Sequence, residues 1–238
     1  LAHMGMAQTF LHWCLHPWAV YGVLGLGVAY TIHRRGRPVS IRWVFEPLIG
    51  AKRVRGWMGD IVDVLAIFGT MAGVATSLGL GVQQIASGLE YLGIVDQTDN
   101  LLLVILIIAI TFIATASVVS GIGKGMKWIS SINLSLAAIL TISALLLGPT
   151  LFLIENFVES LGVWLANFFS MSFDVGAYAG AEGSEWYSSW TLFYWGWWIA
   201  WAPFVGIFIA RVSRGRTIRE FIIGVMLVPT LVGMLWFG

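Results

Sequence analysis

Six long stretches of this chain contain no Lys, Arg, Asp or Glu, and they constrain its fold more than any other feature. They cover residues 11–32, 64–89, 101–119, 128–154, 190–210 and 221–237. A helix of about 20 apolar residues crosses the hydrocarbon core of a bilayer. Only 11% of the residues are charged, against roughly a quarter in a soluble domain. The stretches therefore predict an all-α transmembrane protein of about six spanning helices. The stretches at 64–89 and 128–154 exceed the minimum length, which predicts tilt or projection beyond the core.

The charges sort themselves between these stretches. Arg34, Arg35, Arg37, Arg42, Lys52, Arg53 and Arg55 follow the first, Lys124 and Lys127 the third, and Arg211, Arg214, Arg216 and Arg219 the fifth. These are all 13 basic residues of the chain. The alternate connections hold only acids: Glu90, Asp96 and Asp99, then Glu155, Glu159, Asp174, Glu182 and Glu185. Basic loops stay on the cytoplasmic side. The expectation is a multi-pass protein of the cell inner (plasma) membrane, with the basic loops 33–57, 120–127 and 211–220 cytoplasmic.

Between the spans, residues 40–48 (SIRWVFEPL) alternate apolar and charged groups, which predicts a short amphipathic helix on the inner leaflet. Phe157, Leu161, Trp164, Leu165 and Phe168 recur at helical spacing, predicting an interfacial outer helix. Residues 177–183 (AYAGAEG) read as an exposed loop. The chain opens at Leu1 and closes at Gly238 inside an apolar run, and reads as an internal stretch of a longer protein.

Soluble-enzyme motifs are missing: no Walker loop, GxSxG, HExxH or dinucleotide fingerprint occurs. Gly121–Gly125 (GIGKG) lacks phosphate-loop spacing and reads as a turn between membrane helices. One cysteine, Cys14, leaves no CxxC pair. His12 and His16 are four apart, but Pro17 and the lack of a third ligand favour packing or hydrogen bonding over a metal. A net charge of +1 makes no case for nucleic acid. The expectation is a non-enzyme without cofactor or metal.

Aromatic residues carry the chemistry. Trp186 and Trp190, and Trp43, Trp57 and Trp128, sit near predicted span ends, where Trp belongs to the membrane interface. Trp197, Trp198 and Trp201 lie deeper, seven to eleven residues into the fifth stretch. Pro203 follows them and removes a backbone donor, so a bend or break is expected there. Trp13, Trp18 and Tyr21 form a second cluster in the first stretch, and neither stretch holds an acid. A quaternary ammonium has no N–H to satisfy, so aromatic faces suit it. The rings can equally serve as helix packing, and the pattern leaves both readings open.

Four segments resemble the betaine/choline/carnitine transporter family: HWCLHPWAVY at 12–21, VATSLGLGVQQI at 74–85, SGIGKGMKWISSIN at 120–133, and FYWGWWIAWAPFVGIFIARVSRGRTIREF at 193–221. The resemblance runs over essentially the whole chain and lies nearer the choline and glycine-betaine carriers than the carnitine ones. It implies a six-helix part of a leucine-transporter-like fold of two inverted five-helix repeats. It implies a secondary transporter importing glycine betaine or choline by ion-coupled symport with alternating access. Carnitine-type exchange, or an osmosensing homologue without transport, is the alternative. By resemblance Trp13, Trp18, Tyr21 and Trp198 are substrate residues, Trp197 and Trp201 line the same box or its pathway, and Phe193 matches a gate. A candidate cation site involves Thr70 and Phe204, weakened by Val74 where a second threonine is expected. No arginine of the exchanger type occurs in residues 64–89. The coupling ion is Na+ or H+, and a homotrimer in the lipid bilayer is implied.

Overall fold

The computed structural model describes residues 2–119, 125 and 127–238. Lys124 and nearly all of the expected glycine-rich turn at Gly121–Gly125 lie outside the described residues, as does Ser120 at the start of the third resembling segment. Among the described residues the structure is helical, without strands. The helices are α1 (Ala2–Trp13), α2 (Leu15–His33), α3 (Glu46–Ile49), α4 (Ala51–Val54), α5 (Trp57–Tyr91), α6 (Asn100–Val119), α7 (Lys127–Leu147), α8 (Thr150–Phe173), α9 (Gly180–Tyr187), α10 (Phe193–Val212), α11 (Ile218–Ile222) and α12 (Val228–Phe237). A 3₁₀ turn covers Ile41–Phe45, and π turns cover Ser188–Leu192 and Ile223–Leu227.

Seven helical runs are long and apolar enough to cross a membrane. The chain is an integral, multi-pass membrane protein. Several boundaries differ from expectation. The first span starts at His3 and reaches His33, because Ala7, Phe10 and Leu11 bury themselves with Trp164 and Met234. The stretch 128–154 is two helices, not one: α7 ends before Gly148 and α8 starts after Pro149. Proline cannot donate and forces its predecessor out of helical geometry, while Thr150 turns its N–H and hydroxyl back to Gly148 O and Leu145 O, at 2.9 and 2.5 Å. The seventh run is α8, where an interfacial helix was expected. Residues 180–183 of the expected loop belong to α9. Pro203 lies inside a continuous α10, and the interruption falls instead at Cys14, between α1 and α2.

The chain forms two units. One is Leu1–Gly73 with Leu151–Gly238, and the other is Val74–Thr150. In the second, α6 and α7 keep almost all of their large apolar side chains exposed, as lipid-facing helices do. In the first, α2 and α10 form the central pair. They run parallel: Tyr21 meets Trp198, Gly25 meets Gly206, and His33 meets Ala210 in the same order along both helices. At Gly25 and Gly206 the backbones touch, since a Cβ on Gly206 would lie 3.3 Å from Gly25 N; small residues allow this in membranes. The run from α11 to α12 is antiparallel to α2, with Phe221 against Gly25, Met226 against Gly22, and Gly233 against Cys14 at the head of α2.

The basic loop after α2 is tied to α5 by charge. Asp63 accepts hydrogen bonds from Ser40 Oγ (2.7 and 2.6 Å), Arg42 N (3.1 Å) and Arg42 Nε (2.6 Å). Arg42 Nη2 also reaches Asp60 at 2.7 Å. Arg37 pairs with Glu46 through two nitrogens and lies over the Trp43 ring, 4.9 Å from its centroid. Within the segment 40–48, residues 41–48 are helical, in the 3₁₀ turn and α3.

Candidate functional site

The site grows from the interruption at Cys14. The backbone there has ψ −109°, and Pro17 has no N–H, so carbonyls of the last turn of α1 lose their usual partners. The His12 carbonyl accepts the indole N–H of Trp198 at 2.7 Å. The His12 ring meets Thr191 Oγ1 at 3.1 Å through Nε2, tying α1 to the π turn before α10. These bonds fix Trp198 in place, and only 7% of its surface is exposed.

Around Trp198 the rings close in. Trp13 lies edge-on at 4.9 Å between centroids and Tyr21 edge-on at 6.4 Å. Trp197 stacks on it at 5.1 Å and Tyr194 at 5.9 Å. Trp13 also contacts Trp197 edge-on at 6.0 Å, and Trp18 meets Tyr21 at 5.6 Å. The edge-to-face arrangement follows from the ring quadrupoles. So Trp13, Trp18, Tyr21, Trp197 and Trp198 stand in one apolar cluster, drawn from the end of α1 and the parallel helices α2 and α10, none of which holds an acid. Phe193 sits one turn outward and touches Trp197 at 5.5 Å.

Trp201 belongs to the same cluster but faces another neighbour. Its indole lies over Gly73 of α5, where any side chain would collide with it, and its edge meets Phe204 at 5.7 Å. Thr70, on the same turn of α5, donates its hydroxyl to Ala66 O at 2.8 Å. Trp201 thus separates the aromatic cluster from the segment that holds Thr70.

Tyr194 is the residue that sequence reasoning passed over. It touches His12, Trp13, Trp197 and Trp198. The signal was present, since Tyr194 stands four residues before Trp198 and shares its face. The two histidines do not converge on a metal: His16 Nε2 bonds Ser172 Oγ at 2.9 Å, and no group of three metal-ligating side chains occurs among the described residues.

The family model described as BCCT, betaine/carnitine/choline family transporter, matches residues 1–238. The chain belongs to the betaine/carnitine/choline transporter family. Over 236 residues it is 56% identical to an uncharacterized transporter of Mycobacterium tuberculosis (strain H37Rv), covering 99% of this chain and 39% of that protein. It is 47% identical over 234 residues to the glycine betaine transporter OpuD of Bacillus subtilis, covering 98% and 45%. It is 46% identical over 235 residues to a glycine betaine/proline/choline transporter of Vibrio parahaemolyticus, covering 98% and 41%. The chain thus spans less than half the length of these relatives.

Proposed function

We propose that the protein containing this chain is a secondary transporter that imports a quaternary-ammonium compound, glycine betaine or choline, by ion-coupled symport with alternating access. The observation that carries this reading is the cluster of Trp13, Tyr21, Trp197 and Trp198 in a membrane-spanning pair that offers rings and no carboxylate. A methylated ammonium gains roughly 2 kcal/mol or more from each well-placed, desolvated ring face. A primary amine would need acceptors that α2 and α10 do not present. Trp18 extends the ring surface from Tyr21, and Phe193 at the outward end of the stack is suited to gating. Relatives named for glycine betaine and choline support the same solute class.

Ion coupling, with Na+ or H+ as the driving ion, and assembly as a homotrimer belong to the same proposal. Thr70 offers one hydroxyl, already donating to Ala66 O, so it contributes an acceptor lone pair to a cation; Phe204 stands beyond Trp201 on α10.

The test is substrate binding by the full-length protein. Trp198→Leu weakens glycine betaine or choline binding by roughly tenfold or more, from about 1.5–2 kcal/mol of lost cation–π attraction. Trp198→Phe loses less, and Trp43→Leu, at the membrane interface, leaves affinity unchanged. Equal affinity for parent and Trp198→Leu makes the rings structural packing and ends this reading.

A further inference from the structure

A cleft lies where α2 ends and the chain turns from α10 into α11, away from the aromatic cluster. Its wall is apolar: Val23, Leu26, Ala29 and Phe221. Val23, Leu26 and Ala29 follow one side of a membrane-spanning helix, and Val23 is 77% exposed. The rim is basic, formed by Arg34, Arg214 and Arg216. Arg214 and Arg216 flank Gly215, whose φ of +83° allows the tight turn that Arg216 N closes on Ser213 O at 3.0 Å. No acidic residue lines the cleft.

No carboxylate is ion-paired to the rim arginines among the described residues, where ion pairs involve Arg37 and Arg42. Glu220, the nearest acid in sequence, accepts from Thr217 N and Thr217 Oγ1, at 2.8 and 3.1 Å, and interacts with the charge of Arg216 without forming an ion pair. His33 is turned inward to Ala210 O at 2.8 Å. Three exposed guanidiniums with no ion-paired carboxylate attract an anion with several acceptor oxygens. The apolar wall beneath them runs along the membrane-spanning face of α2, where acyl chains lie. Basic pockets between helices at a membrane surface take anionic lipid headgroups.

We propose that this cleft binds an acidic phospholipid, its phosphate held by Arg34, Arg214 and Arg216 and an acyl chain along Val23, Leu26 and Phe221. The pairing joins the C-terminal ends of α2 and α10 through a bound lipid.

The test uses the full-length protein in nanodiscs of phosphatidylcholine, alone or doped with phosphatidylglycerol, with retained lipid read by native mass spectrometry. The parent retains phosphatidylglycerol in preference to phosphatidylcholine. R34Q/R214Q/R216Q loses at least tenfold in retention, at about fivefold per arginine. R34K/R214K/R216K, which keeps the charge, retains most of it and guards against a folding defect in the first variant. K52Q/R53Q, basic but outside the cleft, behaves as parent. Equal retention of the two lipids by the parent, or undiminished retention by the Gln variant, overturns the proposal. So does displacement of the lipid by inorganic phosphate, which would make the site one for a small anion, or by an acidic peptide, which would make it a protein-docking site.

Discussion

Ser172 shows how single atoms decide geometry in this protein. Its hydroxyl donates to Phe168 O at 2.5 Å, so its one proton is used, and His16 Nε2 must donate to it across 2.9 Å. That assigns the neutral His16 tautomer with hydrogen on Nε2, and leaves Nδ1 buried without a partner. Ser172→Ala strands the imidazole donor and costs about 1–3 kcal/mol, read as a lowered melting temperature of the detergent-solubilised protein; unchanged melting refutes the assignment. Asp174 organises the connection after α8. Its carboxylate accepts from Tyr187 Oη at 2.5 Å and from Gly176 N at 3.0 Å, and the Tyr187 bond, then the Gly176 N–H, hold its pKa below the ordinary value. The lowered folded pKa means that this stabilisation is complete above the unfolded carboxylate value near ~3.9 and is lost as pH falls through the folded value. Asp174→Asn reproduces the acid state at neutral pH, and should speed amide exchange at Gly176 and Ala179 by roughly two- to fivefold, the worth of one exposed hydrogen bond. No change in exchange would show that the turn holds without the carboxylate.

Helices were legible where periodic hydrophobicity ran unbroken, as in α6, whose Asn100–Val119 bounds fall one residue from the charge-free stretch. They were illegible where backbone chemistry decides. Gly148-Pro149 divides a stretch that contains no charge, and Cys14 interrupts one that carries no breaker before Pro17. Pro203 was expected to bend or break α10, and the helix runs through it unbroken, because a membrane helix tolerates one missing donor when packing holds both halves; here Ala202 and Gly206 are buried against neighbours. Asp60 and Asp63, near the start of α5, are both ion-paired to Arg42, which no spacing rule reveals across a loop. The aromatic residues were legible by type and depth; their division was not. That Trp201 turns toward α5 depends on Gly73, which leaves room for the indole. Gly73→Leu should displace it and cost about 1–3 kcal/mol by overpacking, visible as a lower melting temperature, while Gly79→Leu, at an open position on the same helix, should be nearly neutral. Equal effects would show that Trp201 does not need the gap.

At the scale of the molecule, the parallel run of α2 and α10 agrees with the charge pattern, since both end in basic segments and must do so on one side. The same pattern bears on α8. Three crossings between the basic segments 120–127 and 211–220 would place them on opposite sides of the membrane, so α8 with its Glu155 and Glu159 belongs in the interface although its length and composition suffice to span. Cysteine labelling in a Cys14→Ser background tests this directly. Lys52→Cys and Arg214→Cys should react only from the cytoplasm and Ala181→Cys only from outside; labelling of positions 52 and 214 from opposite faces would make α8 a span. The central claim concerns what the whole protein moves. Radiolabelled uptake into liposomes by the full-length protein measures it, with glycine betaine, choline and carnitine compared and Na+ and pH gradients imposed separately. The account predicts saturable uptake of glycine betaine or choline driven by one of the two gradients; absence of uptake of all three under both gradients, by protein that is folded and inserted, would contradict it.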